Sequence, residues 1–387
     1  IQTKSTLRSC MGSEIQMDHV PFSMPNRPYA LSQEWRDLTL LHWIVEPEKL
    51  APYIPEGLEL DLYKGKAYIS VVPFMMKNVR PRWFPAVPGI STFPEFNIRT
   101  YVKKNGKAGV FFLTLDAQSN ITCTYAPRAY GLPYNYARAK FTAGKGVYIW
   151  KSKRPRSEIG IDGLARATGE KTNAKNGTLE YFLFERYCLY VEHKGVLYIA
   201  HTLHEPWEFQ TADAIIKSNS LTKAYNLGIE DAHTPDLVHV SEGVYVHTWP
   251  IELTERVRNP DDDRDYLFLD GDCGLCHRLA TFIDKRLDEK QELGYRPILD
   301  DDAQRIIFTM PEKYQKADTV YLIRNGRPYI RSGAAIRGLL YMKWYYKMWY
   351  PLLWLVPLPL RDIGYRLIAK YRHKVFDKPK VCAFRVD

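Results

Sequence analysis

The chain has 387 residues, enough for two or three domains that each bury a core. Its hydrophobic share of 45% and charged share of 25% are ordinary for a globular protein. The net charge of +10 suits nucleic acid, anionic lipid or acidic small molecules, but no nucleic-acid-binding motif accompanies it. We therefore interpret the charge as a solvated basic surface and expect no nucleic-acid partner.

The N-terminal residues 1–28 are predicted to form an extension. Residues 1–21 carry polar and charged side chains throughout and lack the apolar core of a signal peptide. Met11 is a candidate start, so we interpret residues 1–10, with Cys10, as an upstream segment without function. Six cysteines are too few for a disulfide-stapled secreted scaffold. We therefore expect a cytoplasmic protein in a reducing compartment.

A mainly antiparallel β domain is predicted over residues 29–257. Strand-like apolar runs are separated by turn dipeptides such as Lys64-Gly65 and Asn105-Gly106, which is typical of hairpins. The predicted strands are 35–46, 58–62, 67–74, 95–102, 109–115, 145–150, 180–190, 196–203 and 243–249. The polar, basic segment 151–176 is expected to be an exposed loop or an edge hairpin.

Polar side chains stand among the apolar ones in the predicted strand 95–102. Because side chains alternate along a strand, Glu95, Asn97 and Arg99 share one face. A barrel-like sheet with such groups inside would bind a small carboxylate or another anion. The predicted substrate-binding residues are Glu95, Asn97, Arg99, Arg128, Tyr134, Arg186 and His204, with Arg80, Glu185 and His42 as neighbours that could converge on them. A structural network of arginine and carboxylate pairs is an equally good interpretation.

The composition changes at 258–265, which is predicted to be a solvated linker because 258–264 contains a proline and no apolar residue. Beyond it, strands and helices alternate. We predict strand 266–270, helix 275–287, strand 294–298, helix 301–308, strand 319–323, a hairpin to 329–330 and helix 332–341. A βαβ unit followed by a hairpin and a helix is the layout of a thioredoxin-like fold. The predicted fold class is therefore α+β, with an α/β thioredoxin-like domain at 266–387.

Two thiols, Cys273 and Cys276, follow the first of these strands in the run Asp270-Gly271-Asp272-Cys273-Gly274-Leu275-Cys276-His277. A helix beginning at about Gly274 would direct its unpaired N–H groups and positive dipole end toward Cys273, which stabilises a thiolate. We expect Cys273, as the more exposed thiol, to attack a disulfide and Cys276 to resolve the mixed disulfide.

The neighbouring ionisable groups act in opposite directions on this thiolate. His277, when protonated, would stabilise it, whereas the carboxylates of Asp270 and Asp272 would oppose it. One of the two carboxylates could also accept the proton of the resolving thiol.

Two other interpretations of the thiol pair remain open. Cys-x-x-Cys-His is the attachment motif of a covalent haem, but a strand leads directly into it and no export signal precedes it. A zinc half-site could combine Cys273, Cys276, His277 and Cys382, but zinc prefers a second paired cluster, and none is present in the sequence. We favour redox chemistry and expect neither a cofactor nor a metal.

Family resemblance strengthens the redox interpretation. The run Asp270–Cys276 is accompanied by Arg331–Ile336, Leu355–Pro357, Tyr365–Ala369 and a C-terminal Cys382. In these motifs the region 266–385 resembles the DCC family of thiol-disulfide oxidoreductases. The resemblance implies an enzyme acting on a thiol or disulfide substrate, with a redox role for Cys382. Thioredoxins carry a cis-proline before the strand that faces the cysteines, where this chain has Ala317-Asp318, so docking of an extended protein substrate stays open.

A second resemblance covers residues 29–257. The segments that carry it include Leu41-His42-Trp43, Val71–Phe74, Phe93–Tyr101, Gly131–Tyr134 and His204–Trp207. They are similar to YqjF-like proteins, grouped with the acetoacetate decarboxylase-like β fold. Acetoacetate decarboxylases form a Schiff base through a lysine in a Gly-x-Pro-Lys-like segment, where this chain has Tyr134. The resemblance thus implies a β fold without decarboxylation by that route, and the chain is interpreted as a fusion of two domains.

The C-terminal segment 344–360 is rich in aromatic rings and leucines. It is too short, too interrupted by prolines and too charged at Lys347 to span a bilayer. We expect it to pack against the rest of the protein; the alternative is peripheral membrane contact, supported by Arg366, Lys370, Arg372 and Lys374.

The predicted function is thiol–disulfide exchange, joined to a β domain that binds a small-molecule substrate or partner. The alternative is a non-enzymatic ligand-binding or scaffold protein whose thiols are structural.

Overall fold

The computed structural model describes residues 15–255 and 264–375. The chain divides into two compact units, and the division falls between Pro250 and Ile251, with 194–196 assigned to the second unit. The predictions for residues 1–10 and for Cys382, and most of the predicted linker 258–265, lie outside the described residues. Residues 15–28 belong to the first unit, where the Arg27 carbonyl accepts a hydrogen bond from the Trp249 indole at 2.7 Å.

The first unit is built on a large, mostly antiparallel sheet, as predicted. Its strands are Leu31–Val45, Glu59–Leu60, Ala67–Pro81, Phe93–Lys104, Lys107–Ala117, Tyr134–Tyr136, Arg138–Gly144, Val147–Lys153, Gly160–Ala167, Thr172–Asn173, Cys188–His193, Val196–His204, Glu208–Asn219 and Leu237–Thr248. Its helical segments are Pro47–Leu50, Ala51–Tyr53, Asn120–Tyr130, Leu179–Phe184 and Thr222–Ala224. The central strands run in the order Lys107–Ala117, Phe93–Lys104, Ala67–Pro81, Leu31–Val45 and Leu237–Thr248, each antiparallel to the next.

The hairpin turns follow from the chemistry of their dipeptides. Asn105 and Gly106 both have positive φ, 50° and 75°, which a two-residue type I′ turn requires and which asparagine and glycine tolerate best. This turn pairs Lys104 with Lys107 and so sets the register of the two strands that it joins. The hairpin prediction at this position is confirmed.

The sheet is buried on both faces, and the strand Phe93–Lys104 shows how they differ. Phe96 and Ile98 belong to one wholly apolar core. The alternate positions Glu95, Asn97 and Arg99 are also buried and face the opposite way. Polar groups are therefore enclosed on one side of the sheet.

Two local predictions for the first unit were wrong, and one helix was missed. Residues 180–190 form a helix, Leu179–Phe184, before the strand Cys188–His193, because the Thr178 hydroxyl accepts from the Tyr181 amide at 3.2 Å and caps the helix. The strand Gly160–Ala167 pairs on both sides, so 151–176 is not an exposed loop or an edge hairpin. The helix Asn120–Tyr130 was not predicted; Ser119 caps its start.

The second unit combines a small mixed sheet with helices. Its strands are Glu252–Leu253, Asp265–Leu269, Leu293–Pro297, Tyr321–Arg324 and Arg327–Ile330. Its helical segments are Gly274–Asp284, Asp301–Phe308, Glu312–Gln315, Arg331–Gly338, Leu339–Tyr341, Trp344–Lys347, Trp349–Leu355 and Leu358–Val375. The predicted sequence of a βαβ unit, a hairpin and a helix is confirmed.

The four-stranded sheet of this unit has the order Leu293–Pro297, Asp265–Leu269, Tyr321–Arg324, Arg327–Ile330. The first two strands are parallel and the other pairings are antiparallel. The helix Gly274–Asp284, here called the thiol helix, buries Cys276, Ala280 and Ile283 at helical spacing against this sheet's core.

The C-terminal segment does not pack as predicted. Trp344, Trp349 and Trp354 are all exposed, and so is every residue of 351–360. The expectation that the segment packs against the rest of the protein holds at Tyr346, whose ring lies 5.7 Å from that of Phe282, and is wrong for the three tryptophans. Further inward contacts come from the helix Leu358–Val375, here called the C-terminal helix. No helix among the described residues is long and apolar enough to cross a membrane.

Candidate redox site and buried polar cluster

Cys273 occupies the residue just before the thiol helix. Its backbone is extended, and its Sγ accepts a hydrogen bond from the Cys276 amide at 3.3 Å. The first N–H groups of a helix lack intrahelical partners and carry the positive end of the dipole, so they favour negative charge on this sulfur. The geometry therefore places the positive end of the thiol helix at the Cys273 sulfur.

Both sulfurs are held as thiols and both side chains are buried, Cys273 with 1% and Cys276 with 4% of its surface exposed. The expectation that Cys273 is the more exposed thiol is therefore wrong, because the core of the second unit encloses it. Burial raises the pKa of Cys276, and the adjacent Cys273 raises it further. Cys276 thus keeps its proton at neutral pH, as suits a resolving thiol.

Arg372, on the C-terminal helix, brings a buried positive charge to the thiols. Its side chain donates to Asp270 Oδ2 at 3.1 Å and to Asp318 Oδ1 at 2.8 Å. Burial opposes its charge, but Asp318 and the two thiols together raise the pKa of Arg372. Its positive charge in turn acts to lower the pKa of Cys276. The guanidinium is therefore a permanent counter-charge for either thiolate.

The two predicted carboxylates have different surroundings. Asp270 Oδ1 accepts from the Asp272 amide at 2.9 Å, and its other oxygen is paired with Arg372. Asp272 itself is exposed. The pairing of Asp270 offsets much of the opposition to a thiolate that the sequence suggested. His277 is buried, and its Nε2 lies 3.1 Å from the Gly271 carbonyl, so that nitrogen carries the proton.

Tyr365 completes the inner side of this site. Its hydroxyl accepts from the Val320 amide at 3.1 Å, just before the strand Tyr321–Arg324. Sequence reasoning missed Tyr365, Arg372 and Asp318 as site residues. A signal was present, because Asp362, Tyr365 and Arg372 lie three and seven residues apart and so fall on one face of a helix.

Within residues 15–255 and 264–375, no three His, Cys, Asp or Glu side chains are arranged to hold a metal ion. The zinc hypothesis used Cys382, which lies outside those ranges, and the redox role of Cys382 likewise stays a prediction.

In the first unit, the strand Phe93–Lys104 brings Glu95, Asn97 and Tyr134 together. The Tyr134 hydroxyl donates to Glu95 Oε2 at 2.8 Å, and Asn97 Nδ2 donates to Glu95 Oε1 at 3.4 Å. Burial raises the pKa of Glu95 to about 7, although both hydrogen bonds pull it downward. At neutral pH this carboxyl is thus divided between its protonated and charged forms.

Arg99 lies further along the same face, within a set here called the buried polar cluster: His42, Ser70, Asn97, Arg99 and His239. Arg99 donates to the Leu183 carbonyl at 3.2 Å, and His42 Nδ1 lies 2.7 Å from the Ser70 hydroxyl. Burial lowers the pKa of His42 most, and the nearby His239 and Arg99 lower it further. Burial also lowers the pKa of His239, to about 4. Both histidines are therefore neutral near pH 7.

Several atoms of this cluster are buried without a hydrogen-bond partner among the described residues. They are Arg99 Nε, His42 Nε2, His239 Nδ1 and Asn97 Oδ1. A buried polar atom left unpaired costs about 1–3 kcal/mol, so several such atoms on one face are unfavourable for the fold.

The other predicted binding residues do not join this cluster. Arg186 is paired with Asp61 at 2.6 Å, and both ring nitrogens of His204 lie within 3.2 Å of backbone carbonyls. These two fit the alternative of a satisfied structural network. Arg128 lies on the helix Asn120–Tyr130 with its side chain exposed, apart from this cluster, and its binding role stays a prediction.

An open cleft of about 230 Å³ lies elsewhere on the first unit. Its lining includes Phe111, Leu132, Pro133, Glu192 and Tyr225, and none of the predicted substrate-binding residues contributes to it.

Comparison with known families divides the chain in the same way. Residues 32–245 match DUF2071, a family described as an uncharacterized conserved protein. Residues 267–378 match the family of DCC1-like thiol-disulfide oxidoreductases. The two matches cover separate parts of the chain and leave little of 32–378 unassigned, so a fusion of two domains is supported.

Individual proteins are similar to one part or the other. The uncharacterized protein YqjF of Bacillus subtilis is 36% identical over 230 residues, which is 59% of this chain and 94% of YqjF. The uncharacterized protein YuxK of the same bacterium is 30% identical over 116 residues, covering 30% of this chain and 83% of YuxK. A chloroplastic DCC family protein of Arabidopsis thaliana is 23% identical over 122 residues, 32% of this chain and 70% of that protein.

Among solved structures, acetoacetate decarboxylase from Legionella pneumophila is 12% identical with a TM-score of 0.43, covering 65% of this chain and 98% of that one. An acetoacetate decarboxylase-like enzyme from Sphingomonas wittichii is 13% identical with a TM-score of 0.42, covering 59% and 95%.

Proposed function

Because the chain belongs to the DUF2071 family and continues into a DCC1-like thiol-disulfide oxidoreductase region, we propose that its second unit exchanges thiols and disulfides through Cys273 and Cys276. The observation that carries the proposal is Cys273 at the start of the thiol helix, with its sulfur 3.3 Å from the Cys276 amide. The βαβ unit followed by a hairpin and a helix, the layout expected of a thioredoxin-like fold, supports it.

The exchange proceeds in two steps. The Cys273 thiolate attacks a substrate disulfide, an S–S bond forms between Cys273 and one substrate sulfur, and the other leaves and takes up a proton. Cys276 then loses its proton and attacks Cys273, releasing the second substrate thiol. The substrate disulfide is reduced to two thiols and the protein dithiol is oxidised to Cys273–Cys276. An external thiol donor must reduce this disulfide before the next cycle.

The other residues of the site act on the charge of the sulfurs. Arg372 stabilises whichever thiolate is present, and Asp270 holds the guanidinium in place. His277, fixed through Nε2 on the Gly271 carbonyl, keeps the start of the thiol helix and the preceding turn together.

Replacing each thiol tests this mechanism. We expect Cys273→Ser to abolish reduction of a small disulfide such as glutathione disulfide. Cys276→Ser should stop at the mixed disulfide, which mass spectrometry detects as one glutathione adduct per chain. Cys123→Ser, a half-buried thiol of the first unit, is the matched control and should react like the unmodified protein. Unchanged turnover in Cys273→Ser would contradict the proposal.

A redox titration separates this function from a scaffold with structural thiols. We expect the Cys273–Cys276 couple to titrate within roughly −270 to −120 mV, the span of known redox-active dithiols. A couple outside that span would favour the scaffold alternative.

For the first unit we propose binding of a small anion, such as a carboxylate, at the buried polar cluster. The unpaired donor of Arg99, beside the neutral His42, supports it. Such a ligand would accept hydrogen bonds from the guanidinium and offset the cost of leaving it buried and unpaired.

The test compares Arg99→Met with Arg128→Met, which removes an exposed arginine of the same unit. With acetate, pyruvate and inorganic phosphate as probes in calorimetry, we expect Arg99→Met to weaken binding at least about tenfold, since a charged hydrogen bond is worth about 1.5–3 kcal/mol. Arg128→Met should bind normally, and both variants should keep thiol exchange. Normal affinity in Arg99→Met for every probe that binds would remove this proposal.

A further inference from the structure

The C-terminal helix is amphipathic, and the face that it turns toward the second unit is the polar one. Asp362 accepts from the Ser332 hydroxyl at 2.5 Å, Tyr365 contacts Val320 and Arg372 contacts Asp270. The outward face carries leucine and isoleucine side chains. The apolar side of this helix is therefore the side that the second unit leaves uncovered.

The preceding helix, Trp349–Leu355, also exposes large apolar side chains. Nine large apolar side chains of the two helices have between 49% and 71% of their surface exposed, and six of them define this surface here. We name this set the C-terminal apolar surface: Trp349, Trp354, Leu355, Leu360, Ile363 and Leu367. Contiguous exposed apolar patches of this kind are uncommon on globular proteins and mark interaction sites.

The charge around this surface identifies the partner. Residues 343–375 contain seven Lys or Arg and one acidic residue, Asp362, which is turned inward onto Ser332. Arg366 and Lys370 are exposed between the outward apolar residues. A second copy of the chain would bring the same positive charge against itself, whereas an anionic surface complements it. Tryptophan, leucine and basic side chains together are the composition of helices that lie in a lipid interface.

We propose that the C-terminal apolar surface docks on an anionic lipid membrane. The C-terminal helix, 18 residues or about 27 Å long, lies along the interface with its leucines among the acyl chains. Arg366 and Lys370 contact the headgroups. Because the inward side of the same helix carries Arg372 and Tyr365, docking holds the thiol pair close to the membrane surface.

Sedimentation of the full chain with lipid vesicles tests the proposal. We expect binding to phosphatidylcholine vesicles that contain about 30% phosphatidylserine, and little binding to phosphatidylcholine alone. Replacing both Arg366 and Lys370 with Ser should weaken binding about 25-fold, since each basic residue near an anionic surface contributes about fivefold. Raising the salt to about 0.5 M should weaken binding in the same direction.

The apolar contribution is tested separately by Trp354→Ser combined with Leu367→Ser. We expect at least about a tenfold loss of vesicle binding. Leu299→Ser, an 85% exposed leucine of the same unit, is the matched control and should bind normally. Unchanged reaction of the thiols with glutathione disulfide would show that each variant is folded.

Three results would overturn the proposal. They are absence of vesicle binding, equal binding to both vesicle types, and full binding by both sets of variants. A dimer in sedimentation velocity that the Trp354 and Leu367 substitutions dissociate, without vesicle binding, would assign the surface to a second copy instead.

Discussion

Arg372 shows how one buried side chain sets the chemistry of the thiol pair. Its exposed fraction is 7%, and it bridges Asp270 on one side and Asp318 on the other. A buried charge costs free energy unless it is paired, and the two carboxylates supply that pairing. The guanidinium is thereby held where it lowers the pKa of Cys276.

We expect Arg372→Met to make the reduced thiols less reactive. Loss of an opposite charge at this range shifts a pKa by about one unit or more, so the pH midpoint of alkylation by iodoacetamide should rise by about one unit. Arg372→Lys keeps the charge and should restore most of the original midpoint. An unchanged pH profile in Arg372→Met would show that the arginine serves packing alone.

Glu95 gives a pH dependence to the stability of the first unit. Its pKa is about 7 in the folded chain, against an ordinary value of 4.5, because burial penalises the charged form. Between these two pH values the unfolded chain has released a proton that the folded chain still holds. The contribution of Glu95 to the free energy of unfolding is therefore fully present below pH 4.5, and it is lost as the pH rises through 7.

Glu95→Gln should remove this dependence. Between pH 4.5 and pH 8 the unmodified protein should lose about 3 kcal/mol of unfolding free energy relative to Glu95→Gln, at 1.36 kcal/mol per pKa unit. Urea unfolding of the first unit, followed by tryptophan fluorescence at both pH values, measures the difference. Parallel pH curves for the two proteins would mean that Glu95 titrates normally.

Alternation along a strand was enough to place Glu95, Asn97 and Arg99 on one face. It could not supply their partners, because Tyr134 comes from another strand and His42 from a third. Nor could it separate Arg99, which keeps an unpaired nitrogen, from Arg186, which is paired with Asp61. That difference depends on side chains far apart in sequence.

At the level of elements, local signals predicted well wherever the chain itself carries the cause. The turn at Asn105-Gly106 needs only two residues that tolerate positive φ, and the thiol helix starts where a strand ends in a glycine-rich turn. The prediction of a strand over 180–190 was wrong. The tyrosines and phenylalanines of this segment favour a strand, whereas the capping hydroxyl of Thr178 starts a helix.

The orientation of the C-terminal helix could not be predicted from sequence, for a different reason. The rings and leucines of 344–360 suggested packing against the protein, but in the C-terminal helix the inward positions belong to Asp362, Tyr365 and Arg372. Hydrophobicity identifies the two faces of an amphipathic helix without saying which one meets the protein. The polar partners of those three residues decide it here, and they lie on other elements.

For the whole molecule, the change from strand runs to alternating strands and helices indicated two units of different construction. The large antiparallel sheet and the small mixed sheet agree with that division. The two family matches follow it as well. Thiol exchange and anion binding are accordingly proposed for separate units, which single substitutions at Cys273 and Arg99 can distinguish.

By itself the sequence determined most of the strands, the turn at Asn105-Gly106, the place of Cys273 before a helix and the face shared by Glu95, Asn97 and Arg99. These depend on periodicity and turn chemistry within a few residues. Only the tertiary structure decided that Cys273 is buried, that Arg372 meets the thiols and that the C-terminal leucines face outward. The reason is physical: burial and ion pairing depend on which distant side chains the fold brings into contact, and local spacing does not encode that choice.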